Sequence, residues 1–232
     1  MKSLFIFFTF YFFVTFSNAS NLVSQNDSIK FERKNLAVSV GAGFPGYSLS
    51  INYQLNKKIS ARIGYLNGFY DPYYYTSFKG NYTEVKGSFR VNMINLFLDY
   101  FPNTKSTFRV TIGLANSYNE YAVTVTPLTN QTYGYITYTP DDIGKIKTEI
   151  QVNNIMPYLG IGLGKAVPTN RLGLGLDIGF YYQGAPKFNF QSEGSFKPSD
   201  NEKNTELFNN TFSNWVLIPS INFQVKYKIL PK

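Results

Sequence analysis

The sequence predicts an all-β fold, an eight-stranded antiparallel up-and-down transmembrane β-barrel, and three observations predict it. From Leu36 onward apolar residues alternate with small or polar ones, which is the period of a strand and not of a helix. The alternating segments number about eight, joined by links that are short on one side and long on the other, as in an up-and-down barrel with both termini at the turn side. The non-apolar face is crowded with Gly, Ala and Ser, interspersed with Arg and Asp, a composition that fits a narrow lumen better than a solvated exterior.

The N-terminal segment stands apart from this pattern. Residues 1–19 carry Lys2, an apolar stretch from Leu4 to Phe16 and a small-x-small site at Ser17-Asn18-Ala19, the layout of a cleaved secretory signal peptide. Thirteen residues of helix span only about 20 Å, short of a hydrocarbon core of roughly 30 Å. Residues 20–34 form a polar leader, and residues 35–230 the expected barrel. Cleavage leaves a net charge of +7 from the full chain's +8.

Strand segments are expected near 36–43, 47–55, 59–70, 87–101, 107–127, 144–166, 172–194 and 214–230. The clearest places Leu172, Leu174, Leu176, Ile178, Phe180 and Tyr182 on one face, with Gly173, Gly175, Asp177, Gly179, Tyr181 and Gln183 on the other. The last opposes Trp215, Leu217, Ile221, Phe223, Val225, Tyr227 and Ile229 to Ser220, Asn222, Gln224, Lys226 and Lys228. Short turns fall at Asn56-Lys57-Lys58, Pro102 to Ser106 and Val167 to Arg171. Loops cover 71–86, 128–143 and 195–213, with a tight link at Phe44-Pro45-Gly46. Eleven residues from Leu172 to Tyr182 rise about 36 Å, or about 28 Å when tilted by roughly 40°, enough for an apolar band about 25 Å tall. Tyr47, Tyr182 and Trp215 toward the loops, and Tyr53, Tyr100 and Tyr227 toward the turns, form expected interfacial girdles. A soluble sandwich or lipocalin-like barrel would carry the same alternation with the apolar face inward.

Composition excludes several functions. There is no Cys and no His among 232 residues, which removes disulfides, thiolate metal sites, a cysteine nucleophile, any Ser-His pair and the commonest metal ligand. No metal, no cofactor and no catalytic residue is expected. The 22 Lys and Arg are spread without a run of four, so the positive charge points to anionic headgroups and not to nucleic acid. Gly41-Ala42-Gly43-Phe44-Pro45-Gly46 has the spacing of a dinucleotide loop, but alternation and not a helix follows it, so it is read as a hairpin.

Pro157-Tyr158-Leu159-Gly160-Ile161-Gly162-Leu163-Gly164 followed by GLGLDIGFYYQGAPKF (Gly173 to Phe188), together with LFLDYFPNTKSTFRVTIGL (Leu96 to Leu114), resembles the small outer-membrane β-barrel family of outer membrane protein W-like proteins. The resemblance covers about half of the mature chain. It implies an eight-stranded barrel, outer-membrane residence and no catalytic residues to carry over. Such barrels usually end on an aromatic residue that the assembly machinery reads; here Tyr227 stands five residues before the end.

Alternation directs Arg62, Arg90, Asp99, Arg109 and Asp177 inward. Unpaired charge in a narrow interior is costly, so they are expected to pair as a structural plug, with a solute path as the other reading. Pro157 and Pro219 fall inside strands, where a bulge or an unpaired rung is expected. The Tyr-rich stretch Tyr70 to Tyr75, with Tyr82, is either an exterior contact surface or an extension of the girdle against lipopolysaccharide. The functional expectation is a non-catalytic outer-membrane barrel with a structural or loop-mediated role. Its partners would be outer-membrane lipid, lipopolysaccharide, the assembly machinery and an unspecified exterior partner. Passage of a small hydrophobic solute through the wall and a secreted lipid-binding barrel are the alternatives.

Overall fold

The computed structural model describes residues 35–78, 81–133, 135–193 and 201–229, so the expected signal peptide and leader lie outside the described residues. The strands are β1 (Leu36–Phe44), β2 (Tyr47–Gln54), β3 (Ile59–Tyr70), β4 (Tyr73–Phe78), β5 (Asn81–Tyr100), β6 (Arg109–Ser117) and β7 (Glu120–Pro127). They continue as β8 (Gln131–Tyr133), β9 (Ile136–Tyr138), β10 (Lys145–Gln151), β11 (Ile155–Leu163), β12 (Leu172–Tyr182), β13 (Lys187–Glu193) and β14 (Leu217–Lys228). Two helices, α1 (Pro140–Ile143) and α2 (Asn201–Thr211), interrupt the series.

Twelve strands form one antiparallel sheet and β8–β9 a separate ribbon. Its pairings run β1–β2–β3–β5–β6–β11–β12–β14, and β14 pairs with β1 again. The remaining members extend from the far half of β5. Thr83 to Arg90 pair with β7, while Met93 to Tyr100 pair with β6. Beyond β7 lie β10 and then β13.

Three segments expected to be continuous are therefore broken. Residues 107–127 divide into β6 and β7, 144–166 into β10 and β11, and 172–194 into β12 and β13. Asparagine causes the first break, because its short amide competes for backbone partners: Asn119 Oδ1 accepts the Asn92 amide at 2.9 Å in place of a ladder bond. Gly184, at φ 74°, makes the third possible; it lies against the Asn153 side chain, which an added Cβ would meet at 2.4 Å. Backbone bonds stitch the breaks across neighbouring chains, as in Ser117 N to Asn154 O and Gln183 N to Val216 O.

The expected loops also carry structure. Residues 71–86 hold the β4–β5 hairpin, 128–143 hold β8, β9 and α1, and 195–213 hold α2. A capping box closes the start of α1: Thr139 Oγ1 accepts from Asp142 N, and Asp142 Oδ2 accepts from Thr139 N. Phe208 of α2 and the following Phe212 pack on Phe188 and Phe190 of β13, with ring centroids 4.9–5.7 Å apart. The glycine-rich hexapeptide is the β1–β2 hairpin, closed by Gly43 N to Gly46 O at 3.1 Å across a cis Phe44–Pro45 bond. Each strand proline sits at the end of a ladder. Pro157 pairs with Leu114, whereas the β11–β12 ladder starts only at Tyr158; Pro219 pairs with Phe180, whereas the β14–β1 ladder starts at Ile221.

The alternation divides the sheet into an apolar exterior and a polar interior. Leu49, Ile63, Leu96, Leu114, Leu159, Leu174 and Phe223 are exposed, Leu174 to 76% and Phe223 to 63%. Their sequence neighbours Ser50, Arg62, Asn95, Tyr158 and Gln224 are buried. Inward glycines make room for large interior side chains. A Cβ at Gly179 would meet the Tyr158 hydroxyl at 2.5 Å, one at Gly162 the Arg109 guanidinium at 2.8 Å, and one at Gly175 the Lys226 side chain at 2.8 Å.

Candidate functional site

The interior has two layers. One is apolar and aromatic: Leu66, Val91, Met93, Phe97, Ala115, Met156, Tyr158 and Tyr181 pack together. Tyr158 lies with its ring centre 4.7 Å from those of both Phe97 and Tyr181. The other is charged. Arg62 of β3, Asp99 of β5, Arg109 of β6 and Asp177 of β12 are each at most 5% exposed, four residues from four strands brought together across the enclosed space.

Their bonds make a closed pattern. Asp177 accepts from Arg62 Nη1 at 2.5 Å through one oxygen and from Arg109 Nη2 through the other. Asp99 Oδ1 faces Arg62 Nη2 at 3.2 Å and Arg109 Nε at 3.4 Å, and accepts from Thr111 Oγ1 at 2.6 Å. Gln224 Nε2 adds a bond to Asp177 at 2.8 Å. Arg109 also donates to the carbonyls of Leu163 and Gly164, and the Arg62 guanidinium lies 4.8 Å over the Phe97 ring. Two cations and two carboxylates therefore balance, as burial requires. The cavity between the two layers, lined by Arg62, Phe97, Tyr158, Asp177 and Gln224 among others, measures about 30 Å³.

Arg90 is not part of this group and corrects the expected set of five. Arg90 and Asp99 are nine positions apart on β5, so strict alternation puts them on opposite faces. Arg90 shares parity with exposed Ile94, Leu96 and Leu98. It pairs instead with Asp71 through two bonds of 2.6 and 2.9 Å, and that hydrogen bonding holds the Asp71 carboxyl below its ordinary value. Gln224 and Lys226, placed on the polar face of the last strand but left out of the expected charge set, are also buried, to 5% and 1% exposure. Their inward parity on β14 was the available sign.

The aromatics expected at the borders fall at the two ends of the strands. Tyr53 pairs with Leu36, Tyr100 with Ile59 and Tyr227 with Leu172, all beside the short turns. Tyr47 follows the β1–β2 hairpin, and Tyr182 pairs with Leu217 at the opposite end. Tyr47, Tyr100, Tyr182, Trp215 and Tyr227 are exposed, and Tyr53 is half-buried. Trp215 stands edge-on to Phe212, 5.0 Å away. On the β4–β5 hairpin Tyr73 donates to Glu84 at 2.7 Å and lies beside Tyr75, while Lys86 bridges to Glu84 at 2.9 Å. Those contacts, the Lys86 bond foremost, lower the Glu84 carboxyl.

No family model and no curated protein matches the chain. Solved structures do. Acinetobacter baumannii CarO aligns at 19% identity with a TM-score of 0.54, over 84% of this chain and 97% of CarO. Acinetobacter baumannii CarO2 aligns at 19% identity with a TM-score of 0.56, over 83% of this chain and 97% of that one. At this identity the likeness concerns the fold alone, an all-β antiparallel sheet.

Proposed function

We propose that the chain is a bacterial outer-membrane protein, an eight-stranded transmembrane β-barrel whose lumen is plugged by side chains and whose role is structural or loop-mediated and non-catalytic. The observation that carries this reading is the inverted facing. A charged tetrad at most 5% exposed lies inside, while exposed Leu, Ile and Phe side chains, between 37% and 76%, cover the outside of the same strands. A soluble fold rarely presents so large a continuous apolar surface; a hydrocarbon solvent favours it.

The closed circuit of eight paired strands supports a barrel wall, because a closed sheet leaves no unpaired backbone in lipid. Exposed tyrosines at both strand ends support girdles at the headgroups, with lipopolysaccharide as the loop-side contact and Tyr227 as the aromatic available to the assembly machinery. Within the outer-membrane barrels, the outer membrane protein W-like assignment rests on the motifs between Leu96 and Leu114 and between Pro157 and Phe188. Passage of a hydrophobic solute through the wall needs an open apolar pocket. Here Met93, Phe97, Met156, Tyr158 and Tyr181 fill that level, which favours the plugged reading.

The test is an unboiled-versus-boiled gel of outer-membrane fractions from cells expressing the chain. A band that runs fast unboiled and shifts on boiling supports the reading. Recovery in a soluble periplasmic or secreted fraction, without a shift, overturns it.

A further inference from the structure

A second space, half open to the outside, lies at the short-turn end, about 430 Å³ in volume. All three short turns contribute to it, together with Asn35, which precedes β1, and Lys228, the final residue of β14, so it lies at the short-turn end of the sheet. Its charged lining is of one sign. Lys57, Lys165 and Lys228 face it, and among the described residues no Asp or Glu does. Thr104, Ser106 and Thr169 add hydroxyls, and Lys165 Nζ bonds to Thr169 Oγ1 at 3.2 Å.

A fourth amine lies beneath. Lys226 is 1% exposed, and its Nζ donates to the carbonyl of Lys165, a lining residue, at 3.2 Å. Gly175 on β12, diagonal to Lys226 and paired with Gln224, leaves room for the amine by its lack of a side chain. Below Lys226 the charged tetrad is already balanced, with Asp99 and Asp177 engaged by Arg62 and Arg109. The vestibule therefore holds cationic charge that the tetrad does not compensate. Convergent ammonium groups in a concave space of several hundred Å³ are what a phosphorylated ligand requires. Low-dielectric walls strengthen the attraction over that of a flat lysine surface.

We propose that this vestibule is a binding site for a phosphate-bearing ligand, held by Lys57, Lys165 and Lys228 over Lys226. The same chemistry belongs to a free phosphate ester and to a phospholipid headgroup reaching round the barrel rim. The site depends on the fold alone, so it stands or falls separately from the membrane reading.

The test is calorimetric titration of the detergent-folded protein at low salt with three probes: inorganic pyrophosphate, glycerol 3-phosphate and dihexanoyl phosphatidylglycerol below its micelle concentration. Saturable binding should weaken as KCl is raised. Each of Lys57→Gln, Lys165→Gln and Lys228→Gln should weaken it about tenfold, the worth of one charge-assisted hydrogen bond at the weak end of its range. Lys86→Gln, on the distant β4–β5 hairpin, should change nothing. Each variant must keep the heat-shifted gel mobility of the parent, which separates loss of binding from loss of fold. Glycerol 3-phosphate binding as tightly as the lipid assigns the site to free phosphate esters; tighter lysine-dependent binding of the lipid assigns it to headgroups. Absence of binding by all three probes, or binding unchanged in the triple Lys→Gln variant, overturns the proposal.

Discussion

Replacing Asp177 by alanine should destabilise the fold more than any other single carboxylate removal. Asp177 accepts from Arg62, Arg109 and Gln224, and both arginines are at most 3% exposed. Without it, two buried guanidinium groups share one carboxylate, Asp99, whose contacts with them are 3.2 and 3.4 Å long. Breaking a buried ion pair on one side costs about 3–5 kcal/mol, because the remaining charge stays buried and uncompensated. For a chain of this size that is a drop of roughly 6–20 °C in unfolding temperature. The assay is the temperature at which the fast-migrating folded band disappears in lipid vesicles, with urea unfolding in parallel. Asp99→Ala should cost less, since Asp99 makes the longer contacts, and Asp71→Ala, at the exposed Arg90 pair, should leave the midpoint nearly unmoved. If Asp177→Ala melts with the parent, the tetrad is not what holds the interior together.

Three further outcomes follow from the same geometry. Gly179→Ala places a methyl group within 2.5 Å of the Tyr158 hydroxyl and should cost about 1–3 kcal/mol by overpacking, read from urea unfolding. Phe223→Arg puts a charge on the apolar exterior at the middle of β14 and should cost about 2–4 kcal/mol in a bilayer; a soluble barrel would tolerate it, so equal stability in vesicles contradicts the facing. Because Arg90 holds Asp71 below its ordinary pKa of 3.8, this pair favours the folded form above that value and its contribution is lost as pH falls through the lowered one. Amide-exchange protection at the β3–β4 link, corrected for the intrinsic rate, should then fall on acidification, and Asp71→Asn should abolish that pH dependence.

Much of the sheet was legible because side-chain period and facing are one fact in a strand. Residues 172–194 were expected as one strand with Asp177 and Tyr181 inward; β12 starts at Leu172 and buries those two residues, but ends at Tyr182. What alternation cannot show is where a ladder changes partner. Tyr118–Asn119 and Asn153–Asn154 interrupt strands whose pattern resumes on the other side, so the sequence reads as continuous while the pairing moves from β6 to β7 and from β10 to β11. Helix α2 was missed for a related reason: NEKNTELFNNT is polar apart from Leu207 and Phe208, and its placement depends on Phe208 meeting Phe188 and Phe190 of a strand ahead of it. Within the charged group, four residues were found by facing alone. Arg90 was misplaced by a parity that counting along β5 corrects, and Lys226 was seen as inward but not as buried.

The facing of the strands is the claim on which the rest depends, and the absence of cysteine makes it directly measurable. Single cysteines placed along residues 172–182, spin-labelled and reconstituted in vesicles, report access to oxygen from the lipid and to a water-soluble nickel chelate. High oxygen access at Leu172, Leu174, Ile178 and Phe180, alternating with low access at Gly173, Asp177, Gly179 and Tyr181, is the predicted result. Nickel access at the leucine positions, with the aspartate face shielded from water but not from oxygen, would contradict it.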